Sequence, residues 1–385
     1  MAGASNIDVF CRVVDNFGDA GVCWRLARQL AAERGLRVRL WIDDLAALGR
    51  IEPALDAHVP GQRCRGVEVL RWNDAFAAVD PAEAVIEAFG CGLPEPYLEA
   101  MARLPRKPCW TNLEYLSAEP WTRTHHGLPS PHPRLPLTKY FYFPGFGADT
   151  GGLLRERGLA ERRNAFRASA AGQAAFWQRL GLAPVQSGEL RVSLFCYANE
   201  AAGALLAAWA GGGQTVHCVV PEGPVLGSVA RFFGAGKAAA GDVFTRGNLT
   251  LRVLPFVDQD SYDRLLWACD LNFVRGEDSF VRAQWAGRPL VWQAYPQAEG
   301  AHFAKLAAFL DLYCAELAAP AGQALRGLTL AWNGAAEAPE LAAAWAACSG
   351  ALDALARHAE RWEKRQETVP DLAARLVEFM ENRVK

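Results

Sequence analysis

Residues 7–14, Ile-Asp-Val-Phe-Cys-Arg-Val-Val, lead into Asp15-Asn16-Phe17-Gly18-Asp19-Ala20-Gly21, and the run from Ala20 to Arg34 then carries apolar residues at helical spacing through Val22, Leu26 and Leu30. This is a strand, a loop and a helix. Working outward, Arg37 to Ile42, Val67 to Trp72, Ala84 to Phe89 and Pro108 to Asn112 read as further strands, with helical or turn-rich pieces between several of them. Such alternation predicts a parallel, doubly wound sheet.

Pro-rich residues 128–136 interrupt the pattern, Tyr140 to Gly147 resumes it, and a charged helical stretch follows from about 155 to 182. Gly and Ser around 182–188 mark the entry to a second series of strands: Arg191 to Tyr197, Thr215 to Val220, Leu249 to Phe256, Leu271 to Val274 and Pro289 to Gln293. From about Ala301 onward the chain reads as helical, ending in an amphipathic tail with Leu352, Leu355, Trp362, Leu372, Leu376 and Phe379. The expected architecture is α/β, with two Rossmann-like domains facing each other across a cleft, which is the glycosyltransferase-B plan. Residues 1–154 form the first domain, 155–185 a connecting helical segment and 186–360 the second domain. Residues 361–385 form a terminal helix packing back on the first.

A length of 385 residues suits two domains better than one, since single domains mostly hold roughly 100–200 residues. The 40 basic and 42 acidic residues give a formal charge of −2, which offers no footprint for a nucleic acid. The ten cysteines include no C-x-x-C pair and several lie in apolar runs, as small hydrophobes in a reducing compartment do. No metal site is expected, because the histidines lack partners at ligand spacing. No stretch reaches the ~18 apolar residues of a membrane span and no leader is recognisable, so the expected location is the cytoplasm. The Arg cluster at 155, 157, 162, 163 and 167 reads as a solvated helix face.

The loop 15–21 sits at the carboxyl end of the first strand, where open α/β sheets place ligands. It is neither a G-x-G-x-x-G fingerprint nor a P-loop, which removes the main support for a nicotinamide or ATP enzyme. It offers Asp15 and Asp19, two carboxylates four residues apart on a glycine-permitted loop. One reading makes Asp19 a helix cap and Asp15 a turn residue. The other makes one carboxylate a general base and its partner a clamp, suited to a cationic guanidinium acceptor.

In the second half, Leu271 to Val274 feeds Arg275-Gly276-Glu277-Asp278-Ser279, a glycine-containing turn that opens a helix. Unpaired N–H groups at a helix start and the fork of Arg275 suit a nucleotide-sugar diphosphate, while an ordinary capped helix remains the alternative. Glu277 and Asp278 would repel phosphate, so they should cap N–H groups or accept sugar hydroxyls. Phe195, Tyr197 and Phe256 follow or end strands where a base would stack, and Gln259 would read its polar edge; core packing is the alternative for the aromatics.

Four segments together resemble one bacterial family, the arginine rhamnosyltransferases that modify translation elongation factor P. These are 15–30 from Asp15 to Leu30, Asn112-Leu113-Glu114-Tyr115-Leu116-Ser117-Ala118-Glu119, Phe143-Pro144-Gly145-Phe146 and Arg275-Gly276-Glu277-Asp278-Ser279. The resemblance spans nearly the whole chain. It implies a glycosyltransferase-B fold, dTDP-β-L-rhamnose as donor, an arginine of elongation factor P as acceptor, inversion at the anomeric carbon, and neither cofactor nor metal. By the same resemblance, Asp19 is the general base and Asp15 its partner, while Tyr197, Phe256 and Gln259 hold the nucleoside. Arg275, Glu277, Asp278 and Ser279 surround the diphosphate and sugar, Glu277 being counted with the catalytic carboxylates. Phe195 and Gly18 complete the donor-site candidates. Glu114, Glu119 and His302 carry no assigned role. A related transferase with another sugar or acceptor, and a non-catalytic binding module on the same scaffold, are the alternatives.

Overall fold

Ile7 to Cys11 are buried on both faces, as a central strand of a parallel sheet covered by helices requires. A computed structural model describes residues 5–383 apart from 16, 74, 77–78, 183–187 and 337–338. Asn16 of the amino-terminal motif and most of the 182–188 entry therefore lie outside the described residues.

The chain divides into two compact units, Met1–Arg157 with Glu367–Lys385, and Gly158–Gln366. The first holds β1 (Asn6–Cys11), β2 (Arg37–Ile42), β3 (Gly61–Cys64), β4 (Val67–Arg71), β5 (Ala84–Ala88), β6 (Cys109–Leu113), β7 (Pro129–Pro131) and β8 (Thr138–Tyr142). Their order is β3-β4-β2-β1-β5-β6-β8-β7. The chain winds outward from β1 to β2 on one side and reaches β5 on the other, so the strand order reverses between β1 and β5. Crevices at such reversals are where open sheets bind ligands.

The second unit holds β9 (Leu190–Leu194), β10 (Val216–Pro221), β11 (Val243–Arg246), β12 (Leu249–Leu254), β13 (Leu271–Arg275) and β14 (Leu290–Gln293) in the order β11-β12-β10-β9-β13-β14. Here the reversal falls between β9 and β13. Both sheets are parallel in their interiors, but β3, β7 and β11 pair antiparallel at edges. The Pro-rich stretch expected to break the pattern supplies β7, an edge position where a missing N–H costs no ladder bond.

Two regions depart from the sequence reading. The stretch expected to connect the domains contains the helices Leu159–Ala168 and Ala170–Arg179, both counted with the second unit. Of its arginines, Arg157 and Arg162 are exposed as expected, but Arg163 and Arg167 are not. Arg163 is buried, donates to the Trp285 carbonyl at 2.8 Å and pairs with Glu363 at 2.5 Å, while Arg167 donates to the carbonyls of Trp267 and Ala286. These carbonyls end helices, where a guanidinium supplies the donors that the backbone lacks. Burial, then neighbouring Arg288 and Arg163, lowers Arg167 to about 9. The amphipathic tail is two helices, Leu352–Glu367 in the second unit and Leu372–Glu381 in the first.

In the first unit, helix Gly18–Arg34 lies over the sheet and ends at Gly35, whose φ of 66° lets its N–H return to the Leu30 carbonyl. Helix Leu372–Glu381 is tied to it where Gln29 donates to Asp371 at 3.0 Å. The core beneath β1 centres on Phe10, stacked on Trp41 and edge-on to Trp72 and Tyr97. In the second unit Phe280 stacks on Trp292 at 4.0 Å with Phe309 edge-on to both. No helix among the described residues is long and apolar enough to cross a membrane.

Candidate active site

The loop after β1 brings its two carboxylates to the carboxyl edge of the sheet, beside the reversal. Asp19 lies in the first turn of helix Gly18–Arg34 yet does not cap it; Phe17 stands at the N-cap without a side-chain bond. Asp19 reaches back instead, its Oδ2 accepting the N–H groups of Val14 and Asp15 at 2.8 and 2.9 Å. Its other oxygen, Oδ1, accepts the hydroxyl of Tyr115 at 3.1 Å. Asp19 is 2 % exposed and its carboxylate is held by three donors. Asp15 closes a tight turn, its carbonyl accepting the Gly18 N–H at 2.6 Å. Its carboxylate lies so close that a Cβ on Gly18 would meet Oδ2 at 2.6 Å. Gly18 therefore makes room for Asp15.

Two further strands furnish the same edge. Phe89, just after β5, adopts φ 57° and donates its N–H to the Leu113 carbonyl at 2.7 Å. Tyr115, just after β6, stacks on the Phe89 ring at 4.3 Å with planes 11° apart. The neighbouring acids are engaged locally: Glu114 accepts from the Asn112 amide, and Glu119 accepts the Ser117 hydroxyl at 2.8 Å. Beneath the loop Cys11 contacts Cys23; that hydrogen bond, then burial, raises the Cys11 thiol well above its ordinary value. All ten cysteines are free thiols.

In the second unit the reversal between β9 and β13 collects the other candidates. Arg275 ends β13 and is 6 % exposed, with its guanidinium carbon 4.5 Å from the Phe195 ring centre and 4.6 Å from that of Tyr197. Its Nη1 has no hydrogen-bond partner among the described residues. Gly276 follows with φ 59°, a left-handed turn that a side chain would strain. Ser279 straps this turn, its hydroxyl donating to the Arg275 carbonyl and accepting the Arg275 N–H at 3.1 Å. Helix Asp278–Trp285 opens behind it, with Glu277 at the N-cap making no side-chain cap bond. Of the two expected uses of the acids, capping is thus not the one Glu277 takes. Asp278 accepts from the Gln259 amide at 3.3 Å.

The aromatics have distinct settings. Tyr197 is held by its N–H on Gln293 Oε1 at 2.8 Å, and Phe195 packs on Tyr262, whose phenol burial raises. Phe256 is half-buried just past β12, and Gln259 is buried in the first turn of helix Gln259–Ala268. Arg282 and Asp263, buried and bonded at 2.9 and 2.5 Å, lock this helix to Asp278–Trp285. His302 is a local brace accepting the Gln297 N–H at 3.2 Å. No group of three His, Cys, Asp or Glu among the described residues is placed to hold a metal.

The sequence reading thus located both clusters but missed the hydroxyl of Tyr115, whose bond to Asp19 joins residues 96 apart in the chain. Its motif was visible; its target depends on β6 lying two strands from β1.

Residues 7–381 match the model of the "Elongation-Factor P (EF-P) rhamnosyltransferase EarP" family. A protein-arginine rhamnosyltransferase of Pseudomonas putida is 52 % identical over 375 residues, covering 97 % of this chain and 98 % of the relative. That of Pseudomonas aeruginosa is 52 % identical over 372 residues, covering 97 % and 98 %. Among solved structures, one described as "Structural basis for EarP-mediated arginine glycosylation of translation elongation factor EF-P" aligns with a TM-score of 0.70 at 39 % identity, covering 98 % of this chain and 99 % of that one. The MurG structure of Acinetobacter baumannii aligns at 0.51 with 13 % identity over 98 % of this chain and 99 % of that one, a likeness of fold. The chain therefore belongs to the elongation factor P rhamnosyltransferase family, enzymes of the glycosyltransferase-B fold.

Proposed function

We propose that this chain transfers L-rhamnose from dTDP-β-L-rhamnose to an arginine side chain of translation elongation factor P, with inversion at the anomeric carbon. The observation that carries the reading is Arg275, a buried guanidinium between two aromatic rings whose Nη1 lacks a protein acceptor, at the strand reversal where a diphosphate belongs. An orphaned buried donor of this kind is costly unless a ligand completes it. Tyr197, Phe256, Gln259 and Phe195 surround the nucleoside, while Asp278, Ser279 and the turn amides border the diphosphate. Glu277 accepts hydroxyls of the sugar. The stretch 186–360 is the donor domain and 1–154 the acceptor domain, where Gly18 keeps Asp15 in place.

Arginine is a poor nucleophile because its lone pairs are delocalised over a cation with pKa above ~12. Asp15 and Asp19 grip the guanidinium and draw its charge away from one terminal nitrogen, which keeps a localised lone pair. That nitrogen attacks the anomeric carbon, the bond from carbon to the diphosphate oxygen breaks, and its electron pair leaves with dTDP. Asp19 takes the nitrogen's proton, so the glycosylated arginine and dTDP are the products. Arg275 and the helix start stabilise the departing diphosphate. The reaction needs no metal and takes place in the cytoplasm, where the translation factor resides.

The test is incubation of the chain with dTDP-rhamnose and unmodified elongation factor P, with chelator present, followed by peptide mapping. A deoxyhexose increment on one arginine is expected; an unmodified factor, or sugar on another side chain, overturns the reading. Asp19→Asn should cut turnover by at least ~100-fold, the scale of general-base catalysis, and leave dTDP affinity by calorimetry unchanged.

A further inference from the structure

We infer that Tyr115 is a positioning residue for the transfer: its hydroxyl fixes the plane of the Asp19 carboxylate and selects the one oxygen lone pair that receives the proton. The inference rests on the proposed role of Asp19. An ionised carboxylate offers about four lone-pair positions. Two N–H groups occupy Oδ2, and the Tyr115 hydroxyl occupies one position on Oδ1. The proton taken from the acceptor must therefore arrive at the remaining position on Oδ1, beside the phenol. The terminal torsion of an aspartate is broad and roughly two-fold, so a third donor on the second oxygen restrains what the two amides leave soft.

Tyr115 is itself held for this task. Its ring lies flat against Phe89, and Phe89 occupies a left-handed backbone conformation that a bulky residue rarely adopts. Strain of this kind persists where the surroundings impose it, and it clusters at functional sites. Tyr115 is 37 % exposed, whereas Asp19, which its hydroxyl touches, is 2 % exposed. Packing alone does not account for an aromatic left in solvent whose one polar atom is spent on a buried acid. Loop residues after β1 and β6 thus meet on a single carboxylate, with Phe89 after β5 backing the tyrosine, at the edge where the first sheet reverses.

The experiment is Tyr115→Phe, which keeps the ring stack and removes only the oxygen, alone and combined with Asp19→Asn. Transfer from dTDP-rhamnose to elongation factor P is followed under single turnover, and dTDP affinity by calorimetry. We expect kcat to fall roughly 10- to 100-fold, the scale of a hydrogen bond to a charged group, with donor KM and dTDP affinity within about twofold. In the Asp19→Asn background the second change should add nothing, because an amide cannot take the proton that Tyr115 would direct. Wild-type kcat in Tyr115→Phe while Asp19→Asn collapses overturns the role of Tyr115 and spares that of Asp19. Full turnover in Asp19→Asn overturns both. A loss that multiplies with Asp19→Asn, or a rise in donor KM, marks a merely structural tyrosine and also overturns the inference. Where the Asp19 variants turn over too slowly to measure, the split between kcat and donor KM decides alone.

Discussion

The most exposed chemistry of the chain rests on single atoms. Arg275 should contribute to donor binding through a charged donor without a protein partner, so Arg275→Ala is expected to weaken dTDP affinity by about 1.5–3 kcal/mol, roughly 10- to 100-fold, in a calorimetric titration. The aromatic faces of Phe195 and Tyr197 would remain, so binding should weaken and not vanish. Gly18 gives the complementary test. A methyl group there would meet the Asp15 carboxylate at 2.6 Å, closer than real side-chain contacts come. Gly18→Ala should therefore displace Asp15 and lower turnover at least tenfold, with dTDP affinity unaffected because the diphosphate turn belongs to the other unit; assays of the two quantities side by side check this. The sequence places Arg275 at the diphosphate and counts Gly18 among the donor-site candidates; that Gly18 makes room for Asp15 follows only from the structure.

At the scale of elements, the donor turn depends on how the helices Gln259–Ala268 and Asp278–Trp285 are joined. The Asp263–Arg282 pair lies inside, with both side chains almost wholly out of solvent. Removing one partner of such a pair strands the other charge, so Asp263→Ala should cost about 3–5 kcal/mol of stability, read as a lower urea midpoint. The interior strands were legible in the sequence because strands covered on both faces are rich in apolar residues, as in Val-Phe-Cys of β1 and Cys-Val-Val of β10. The antiparallel edge strands β3, β7 and β11 were not. Val243–Arg246 is mostly exposed and only four residues long, so neither hydrophobic run nor length announced it. The acids at 15 and 19 and the turn at 275–279 were legible because loops after strands of a doubly wound sheet are few. The target of Tyr115 was hidden, since it follows from strand order and not from local pattern.

For the molecule as a whole, two imidazoles, the half-buried His126 and the buried His358, couple folding to acidity. Burial, then Arg375, lowers His126; burial lowers His358, which is fully enclosed beside Tyr313. In the unfolded chain each takes a proton near 6.5, and in the folded chain only at lower pH. Below 6.5 the unfolded state binds more protons, so stability should fall as pH drops through that window and stay level in this respect above it. Urea midpoints between pH 7.5 and 5.5 should show the decline, and His358→Phe should make it shallower. The division of the chain has one more consequence. Residues 367–385 belong to the unit that begins at the amino terminus, where the Leu372 N–H donates to the Leu153 carbonyl and Phe379 packs on Tyr142. During synthesis the first-made part of this unit must wait for its last helix until residues 158–366 and then that helix have been made.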